Sequence, residues 1–484
     1  MSPIEVPLDE TALAELAREE LALLSYPERR WVKPYFDAGG RRLYDVVIVG
    51  GGQSGLVIAH SLIRQGVDNI LVLDRSPEGY EGVWETVARM SHLRTPKALC
   101  GMELGQPSLS LQRWYMARHG REAWEALDRV PRRDWMEYLR WYRKTLNLPI
   151  VNDTEVETVE PEADHILVTA RRSGARETFP ARLVVLATGF DGAGRWSVPE
   201  VISDNLPPTL YSHSNVEIDF AALAGKRIGI LGHAASAFDT ATAVLNAGAA
   251  SADICFRRPA LPTVNPHRHL ETAAFLANFP ELSDATRWQI ARHFRQVDQP
   301  PAHSGFFAAT ALPGFRMHAA SPWLDVRQEG DAIRVKTPRG EHVFDYLIAA
   351  TGYTVDYAAR PELSALAPHV LRWKDRYTPP AGAEHALLGD FPYLGLSYEY
   401  LQREPGTAPW VERIFAFNFS GTVSMGPHST SISGHRYALP RLIRGVVRRL
   451  FLEQEEHIIP DLIAYKDIDL VIPPHLRQMA TAAE

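Results

Sequence analysis

The run Val46-Val47-Ile48-Val49-Gly50-Gly51-Gly52-Gln53-Ser54-Gly55 is where residue type and spacing first amount to chemistry. Gly50, Gly52 and Gly55 stand in the G-x-G-x-x-G register of a dinucleotide-binding turn. Gly50 permits a tight exit from a strand, Gly52 leaves room for a pyrophosphate against the backbone, and Gly55 lets the next helix pack on the strand. Free N–H groups at the start of that helix, with Gln53 and Ser54 on its first turn, would then face phosphate oxygens. Asp74 closes the next apolar run about 20 residues on, followed by Arg75. A carboxylate there can accept from a ribose hydroxyl.

A second, altered copy of the pattern follows at Arg227–Ala237, RIGILGHAASA. Gly232 holds the first position, Ala234 and Ala237 the other two, with His233, Ala235 and Ser236 between them. Alanine is accepted at the third position, whereas a methyl at the second crowds the pyrophosphate. Ser236 can add a hydroxyl hydrogen bond. Arg257 and Arg258 follow this unit's second strand, where no acid stands. Two guanidiniums at the ribose 2′ position favour a 2′-phosphate, hence NADPH over NADH.

Other chemistries find no support. There is no G-x-x-x-x-G-K-[ST] and no G-x-S-x-G, so neither a P-loop nor a nucleophile elbow is expected. His267, His269 and Glu271 lack helical ligand spacing, and no metal is expected. Two cysteines, Cys100 and Cys255, rule out a disulfide scaffold. With 51 basic and 58 acidic residues the net charge is −7, which argues against a nucleic-acid partner. Apolar residues at 45% and charged residues at 23% are globular values. No apolar run reaches spanning length and the first residues are not a signal peptide, so a cytoplasmic protein without a membrane span is expected.

The elements that must position these residues follow from periodicity. Residues 9–24 form an amphipathic helix with Asp9 as its cap. Tyr44–Val49, a helix through Ile63 and Ile70–Leu73 make one βαβ unit. A helix spans Arg132–Leu146. Glu155–Val159 and His165–Arg171 alternate as antiparallel strands, and Leu183–Ala187 is buried. Arg227–Leu231, a helix over Phe238–Leu245 and Ala252–Phe256 make the second βαβ unit. Residues 259–325 read as irregular. Ala332–Thr337 and His342–Ala350 form a hairpin, and a helix over Leu439–Phe451 follows. Each parent strand is echoed by an Ala-Thr-Gly turn, Ala187-Thr188-Gly189 and Ala350-Thr351-Gly352. The fold class expected is α/β, with two Rossmann-like dinucleotide-binding domains. A helical extension (1–43) precedes a first domain (44–204 and 336–484) that is interrupted by a second (205–335). The extension is expected to cover the first domain or to pack on a neighbouring subunit of a homo-oligomer.

Two such units with both Ala-Thr-Gly turns resemble the two-dinucleotide-binding flavoproteins. Within them, the chain is most similar to the flavin-containing monooxygenases and their Baeyer–Villiger and N-hydroxylating relatives. Gly82-Val83-Trp84 sits where these families carry a Gly-Gly-x-Trp turn. Leu93-Arg94-Thr95-Pro96-Lys97 is similar to the stretch running over the isoalloxazine, and Leu347–Tyr353 to the ATG-Tyr motif of N-hydroxylases. The resemblance covers roughly residues 44–450. It implies FAD in the first domain, with Gly50, Gly52, Gln53, Ser54, Gly55, Asp74, Arg75, Trp84, Arg94, Thr95, Val156, Ala187, Thr188 and Gly189 at the cofactors. It implies NADPH in the second, with Gly232, His233, Ala234, Ala235, Ser236, Ala237, Arg257, Arg258, Thr351 and Gly352. Asn418 and His428, in the polar loop before the last helix, would contact substrate or flavin.

The activity implied is an FAD- and NADPH-dependent monooxygenase. It would pass one oxygen atom of O2 to a small molecule through a flavin C4a-peroxide, by N- or S-oxygenation. Polar residues in the 417–430 loop lean towards an amine or amino-acid-like substrate. Two departures keep alternatives open. The Baeyer–Villiger run needs a glycine where Thr209 stands and an aromatic where Glu217 stands, around His213. The loop over the flavin lacks an Asn before Pro96-Lys97, which leaves an NADPH-dependent oxidase or reductase as a rival. A flavin-binding module without turnover is the third reading.

Overall fold

The computed structural model describes residues 9–98 and 101–476, so Cys100 lies outside the described residues. Asp9 caps the first helix, α1 (Glu10–Leu23), by accepting from the Ala12 N–H at 2.8 Å. Leu13 and Ala17 of α1 are fully buried. Gln106 Nε2 donates to the Ala17 carbonyl at 2.6 Å and Trp141 Nε1 to the Glu10 carbonyl at 3.1 Å. The extension therefore covers the first unit.

That unit begins with β1 (Tyr44–Val49), α2 (Gln53–Arg64) and β2 (Ile70–Leu73). After α3 (Arg132–Leu146) come β3 (Ile150–Val151), β4 (Thr154–Glu162), β5 (His165–Arg172) and β6 (Ala175–Leu186). The sheet order is β3-β2-β1-β6-β5-β4. β6 serves two masters: its first half pairs antiparallel with β5, its second half parallel with β1. From Leu183 on, the parallel part reads as an unbroken apolar run because both of its faces are covered.

A short strand β7 (Gly194–Trp196) leads out, and β8 (Tyr211–His213), β9 (Arg227–Leu231), α4 (Ala235–Asn246) and β10 (Ser251–Cys255) build the second unit. The stretch expected to be irregular instead holds four helices, Pro266–Leu270, Ala273–Asn278, α5 (Asp284–Val297) and His303–Thr310. Pro266 opens the first of them, where a missing N–H costs nothing, and Ser283 caps α5 by accepting from the Thr286 N–H. The other prolines fall in the short connections, and counting them all as breakers hid the helices between.

After β11 (Phe315–His318), a three-stranded antiparallel sheet forms from β12 (Asp325–Glu329), β13 (Ala332–Thr337) and β14 (Gly340–Phe344). The expected strand His342–Ala350 is two strands. It breaks at Asp345, whose carboxylate accepts from the Arg227 N–H at 2.7 Å and pairs with its guanidinium. The remainder, β15 (Tyr346–Ala349), pairs parallel with β9 and β8. It is a central strand of the second sheet, ordered β11-β10-β9-β15-β8, although the expected boundary at 335 assigned it to the first unit. β16 (Tyr353–Val355) then pairs antiparallel with β7. β17 (Ile414–Ala416) returns to β6, followed by α6 (His435–Leu452) and α7 (Glu455–Ala464). No helix among the described residues is long and apolar enough to cross a membrane.

One buried charge cluster ties α6 to the first sheet. Arg182 on β6 places its guanidinium 3.0 Å from Asp45 on β1 and 3.0 Å from Glu453 just past α6. Arg182 and Asp45 are both buried. Removing the cation leaves a desolvated carboxylate without compensation. Arg182→Leu is expected to lower unfolding stability by about 3 to 5 kcal/mol, read as a fall in the urea midpoint.

Candidate functional site

The first glycine turn is shaped by what lies against it. A Cβ on Gly50 would stand 2.5 Å from the Ala187 carbonyl oxygen, and Gly50 has φ +105°. Only glycine fits both demands. Gly52 caps α2 with no side-chain partner for the helix N–H groups, and a Cβ there would lie 3.4 Å from Gly82. The Gly82-Val83-Trp84 turn is therefore beside the α2 N-terminus, as the motif predicts. Trp84 meets Trp135 of α3 edge-on, at 6.2 Å.

Asp74 is buried and does more than wait for a ribose. Its carboxylate accepts from the Gly51 N–H at 2.6 Å and from the Ser76 N–H at 2.7 Å, fixing the turn itself. Arg75 points to solvent, and Val156 is half-buried against the first core. A cleft of about 490 Å³ opens beside Gly51 and Gly52, walled on the other side by Arg140, Arg143 and Lys144 of α3. Arg143 is paired with Glu81 and Arg140 with Glu137. Among the described residues Lys144 has no such partner, so its ammonium is available to an anionic ligand. Sequence reasoning passed over this wall; its signal was the i, i+4 spacing of Arg140 and Lys144 on one helix face.

Where the flavin half would extend, the Ala-Thr-Gly turn, α2 and α6 meet. Ser54 Oγ and His435 Nε2 share a hydrogen bond at 3.0 Å. His435 is fully buried, stacks on Phe417 at 5.9 Å, and is pushed down to about 4 by burial, so it is neutral. Gln53 Oε1 is buried with no partner among the described residues, an acceptor that a bound ligand would satisfy. His435 was not anticipated from sequence, because nothing local distinguishes it from a surface histidine.

Asn418 contacts neither space. It is fully buried, donates to Thr188 Oγ1 at 3.1 Å and the Leu186 carbonyl at 3.4 Å, and accepts from the Ser420 N–H and hydroxyl at 3.0 and 2.7 Å. Its amide N–H groups are spent on the Thr188 turn and its oxygen on Ser420. Arg94 likewise reaches across to α4, with Asp239 at 3.4 Å, and Lys97 donates to the Trp124 carbonyl at 2.6 Å. Thr95 is half-buried between them in sequence.

The second turn repeats the first. A Cβ on Gly232 would stand 2.4 Å from the Ala350 carbonyl oxygen. Ala234 takes φ −81°, ψ 178°, close to the φ −67°, ψ −172° of Gly52, so its methyl does not distort the turn. Ala235 and Ala237 are buried, while Ser236 stays half-exposed at the start of α4. Thr351 donates to the Ser197 carbonyl, and Gly352 accepts from the Ser197 N–H. His233 lies 3.1 Å from Asp298, with Arg258 4.0 Å from the same carboxylate. Burial alone would raise the Asp298 pKa, but His233, the Gln299 N–H and Arg258 together hold it below the usual value. Arg258 also donates to the Gln296 carbonyl at 2.6 Å. Arg257 is exposed, with no polar partner among the described residues. The two arginines are thus not equivalent, and Arg257 keeps its guanidinium available to a ligand.

Between the units, helices of the second meet the loop of the first. The His267 ring stacks on Phe294 of α5 at 4.1 Å and meets His428 edge-on at 5.2 Å. Burial pushes His267 down to about 4 and holds His428 below its ordinary value; both rings are neutral. His428 Nε2 is buried without a partner. One turn from Asp298, Arg295 lies over Phe391 at 5.9 Å, half-buried, with no ion-pair or hydrogen-bond partner among the described residues. His213 is removed from this space; it stacks on Trp196 at 5.2 Å. Asp253, His318 and His342 also converge, across β10, β11 and β14. Arg316 approaches the same Asp253 carboxylate at 3.5 Å and supplies the counter-charge, making this an ion-pair network apart from the site.

Comparisons with known proteins agree with this geometry. Residues 47–191 match the family model for FAD-NAD(P)-binding, and residues 123–300 match that for L-lysine 6-monooxygenase/L-ornithine 5-monooxygenase. The FAD-dependent urate hydroxylase of Xanthomonas campestris pv. campestris is 44% identical over 462 residues, spanning 95% of this chain and 97% of that protein. The ornithine hydroxylase of Pseudomonas aeruginosa superposes with TM-score 0.66 at 18% identity, over 84% of this chain and all of that one (100%). The cadaverine monooxygenase of Erwinia amylovora, solved with FAD, gives 0.64 at 18% identity, over 84% and 95%.

The cofactors are FAD and NADPH, and the turns fit them: an all-glycine cradle at the first unit, a glycine turn with one methyl at Ala234 in the second, two helix starts without a side-chain cap, a buried Gln53 acceptor and an exposed arginine at the second unit. Arg257→Ala is expected to raise KM for NADPH by about 10- to 100-fold, the range of one charge-assisted hydrogen bond. KM for NADH should change less than about twofold, and Arg258→Ala should affect NADPH less than Arg257→Ala does. Steady-state flavin reduction with each nucleotide reads both.

Proposed function

This chain belongs to the flavoprotein monooxygenase family of the Xanthomonas urate hydroxylase, and we propose that it hydroxylates urate or a closely similar planar, anionic heterocycle. The enzyme is an FAD- and NADPH-dependent monooxygenase, an oxidoreductase acting with O2 on a small molecule. Bound FAD supplies the redox and oxygen chemistry. The protein's own work is to hold, orient and exclude water.

Arg295 is the observation that carries the substrate reading. A half-buried guanidinium without an ion-pair or hydrogen-bond partner among the described residues, with only the charge of Asp298 nearby, still has its N–H groups to offer an anion, and it sits over an aromatic ring beside a histidine–phenylalanine stack. Flat rings stack on such surfaces, and an anionic heterocycle takes up a paired N–H fork in its own plane. The neutral imidazole of His428, with its unpartnered Nε2, adds an in-plane hydrogen-bonding group. The loop's polarity also suits an amine, but an ammonium would meet the Arg295 charge directly. That repulsion argues against lysine- or ornithine-like substrates here.

NADPH oxidation and O2 uptake by the purified yellow enzyme test the reading. Urate is expected to accelerate both, with little hydrogen peroxide and one atom of 18O from labelled O2 in the product. Acceleration by ornithine or lysine and none by urate would refute it. Arg295→Gln is expected to raise KM for urate by about 10- to 100-fold. NADPH reduction of the flavin, measured without O2, should stay within about twofold.

A further inference from the structure

We propose that α7 and the segment after it form an arm that clasps a second copy of this chain. No residue of α7 is buried. Ile458, Ile459, Leu462 and Ile463 recur at i, i+4 and i+1, i+5, which places them on one side of the helix. With Ile468 and Leu470 they are between 39% and 78% exposed. The helix is nevertheless seated. Gln454 accepts from the Lys33 N–H at 2.6 Å, Asp461 pairs with Lys33 at 2.6 Å, and Trp31 packs on Phe451 at 6.2 Å.

Joined to the exposed Phe451, Leu452, Tyr465 and Val471, the arm presents an apolar surface on the order of 1,000 Å². The largest patch on an ordinary monomer is about 300–600 Å². One side of a standard protein interface covers about 800 Å². The area is therefore what a stable dimer needs.

Charge selects the occupant. Within 455–471 the acids are Glu455, Glu456, Asp461, Asp467 and Asp469, against Lys466 alone. An anionic membrane would repel such an arm. On α6, Arg444 and Arg448 form an exposed stripe that runs towards Phe451, and neither has an ion-pair partner among the described residues. An acidic, apolar arm and a basic stripe beside an apolar patch on the same chain are self-complementary. A two-fold axis can place each arm against α6 of the other copy, as an isologous interface requires.

Sedimentation velocity of the FAD-loaded full chain from about 0.1 to 50 µM tests this. A dimer is expected, and Ile459→Asp with Leu462→Asp should give a monomer with unchanged flavin absorbance. Arg444→Glu with Arg448→Glu should weaken the dimer at least tenfold in Kd. Adding Glu455→Arg and Glu456→Arg to that variant should restore it; this swap keeps the test readable if the arm variant fails to fold. A wild-type monomer throughout, with or without binding to phosphatidylserine vesicles, would overturn the proposal. So would a dimer indifferent to all of these substitutions.

Discussion

The structure depends on one close approach made twice. In each βαβ unit, the first glycine of the turn presses against the carbonyl of the alanine in an Ala-Thr-Gly turn, at 2.5 Å and 2.4 Å from where a Cβ would stand. A single methyl would push the turn off the end of its sheet. The parent strand and its echo strand are neighbours, β1 with β6 and β9 with β15. The N-terminus of the following helix is thereby aimed into the crevice at the carboxyl ends of the strands, where open α/β sheets bind ligands. Asp74 reinforces the first turn by accepting from Gly51, and Asn418 holds the Thr188 turn from behind.

With the two turns fixed, the remaining task is to bring the units together around a dry space. Arg94 and Asp239 cross between them, and the His267–His428 contact does the same at the other side. The electrostatics of that space are deliberate in sign. Burial holds His267, His428 and His435 all below their ordinary values, so none adds a fixed cation that would repel a cationic nicotinamide. Arg295, over Phe391, has no ion-pair partner among the described residues. A lone charge in a partly desolvated pocket selects ligands strongly, because a mismatched ligand leaves it unsatisfied.

The arm at α7 follows a different logic. Its residues make no core, so its conformation is worth little unless something covers it. An oxidoreductase whose α6 carries Ser54's partner His435 at one end and the arm at the other would have the proposed dimer contact and its flavin-side wall on one helix.

Much of this was legible in the sequence. The glycine spacing, the acid at Asp74, the paired Ala-Thr-Gly turns and the apolar runs disclosed two dinucleotide units in an α/β fold, because backbone sterics and strand burial act over a few neighbouring residues. The local capping of α1 by Asp9 was equally plain. What only the tertiary structure decided depends on partners far apart in the chain. Asn418 had the composition of a site residue, yet Thr188 and Leu186, more than 200 residues away, consume its hydrogen bonds. Arg257 and Arg258 were indistinguishable until Gln296 and Asp298 engaged one of them. β15 was assigned to the first unit from sequence; Arg227 binding Asp345 cuts the run where it enters the second sheet. His435 and Arg295 acquired meaning only through burial and the absence of a partner, which no local pattern encodes.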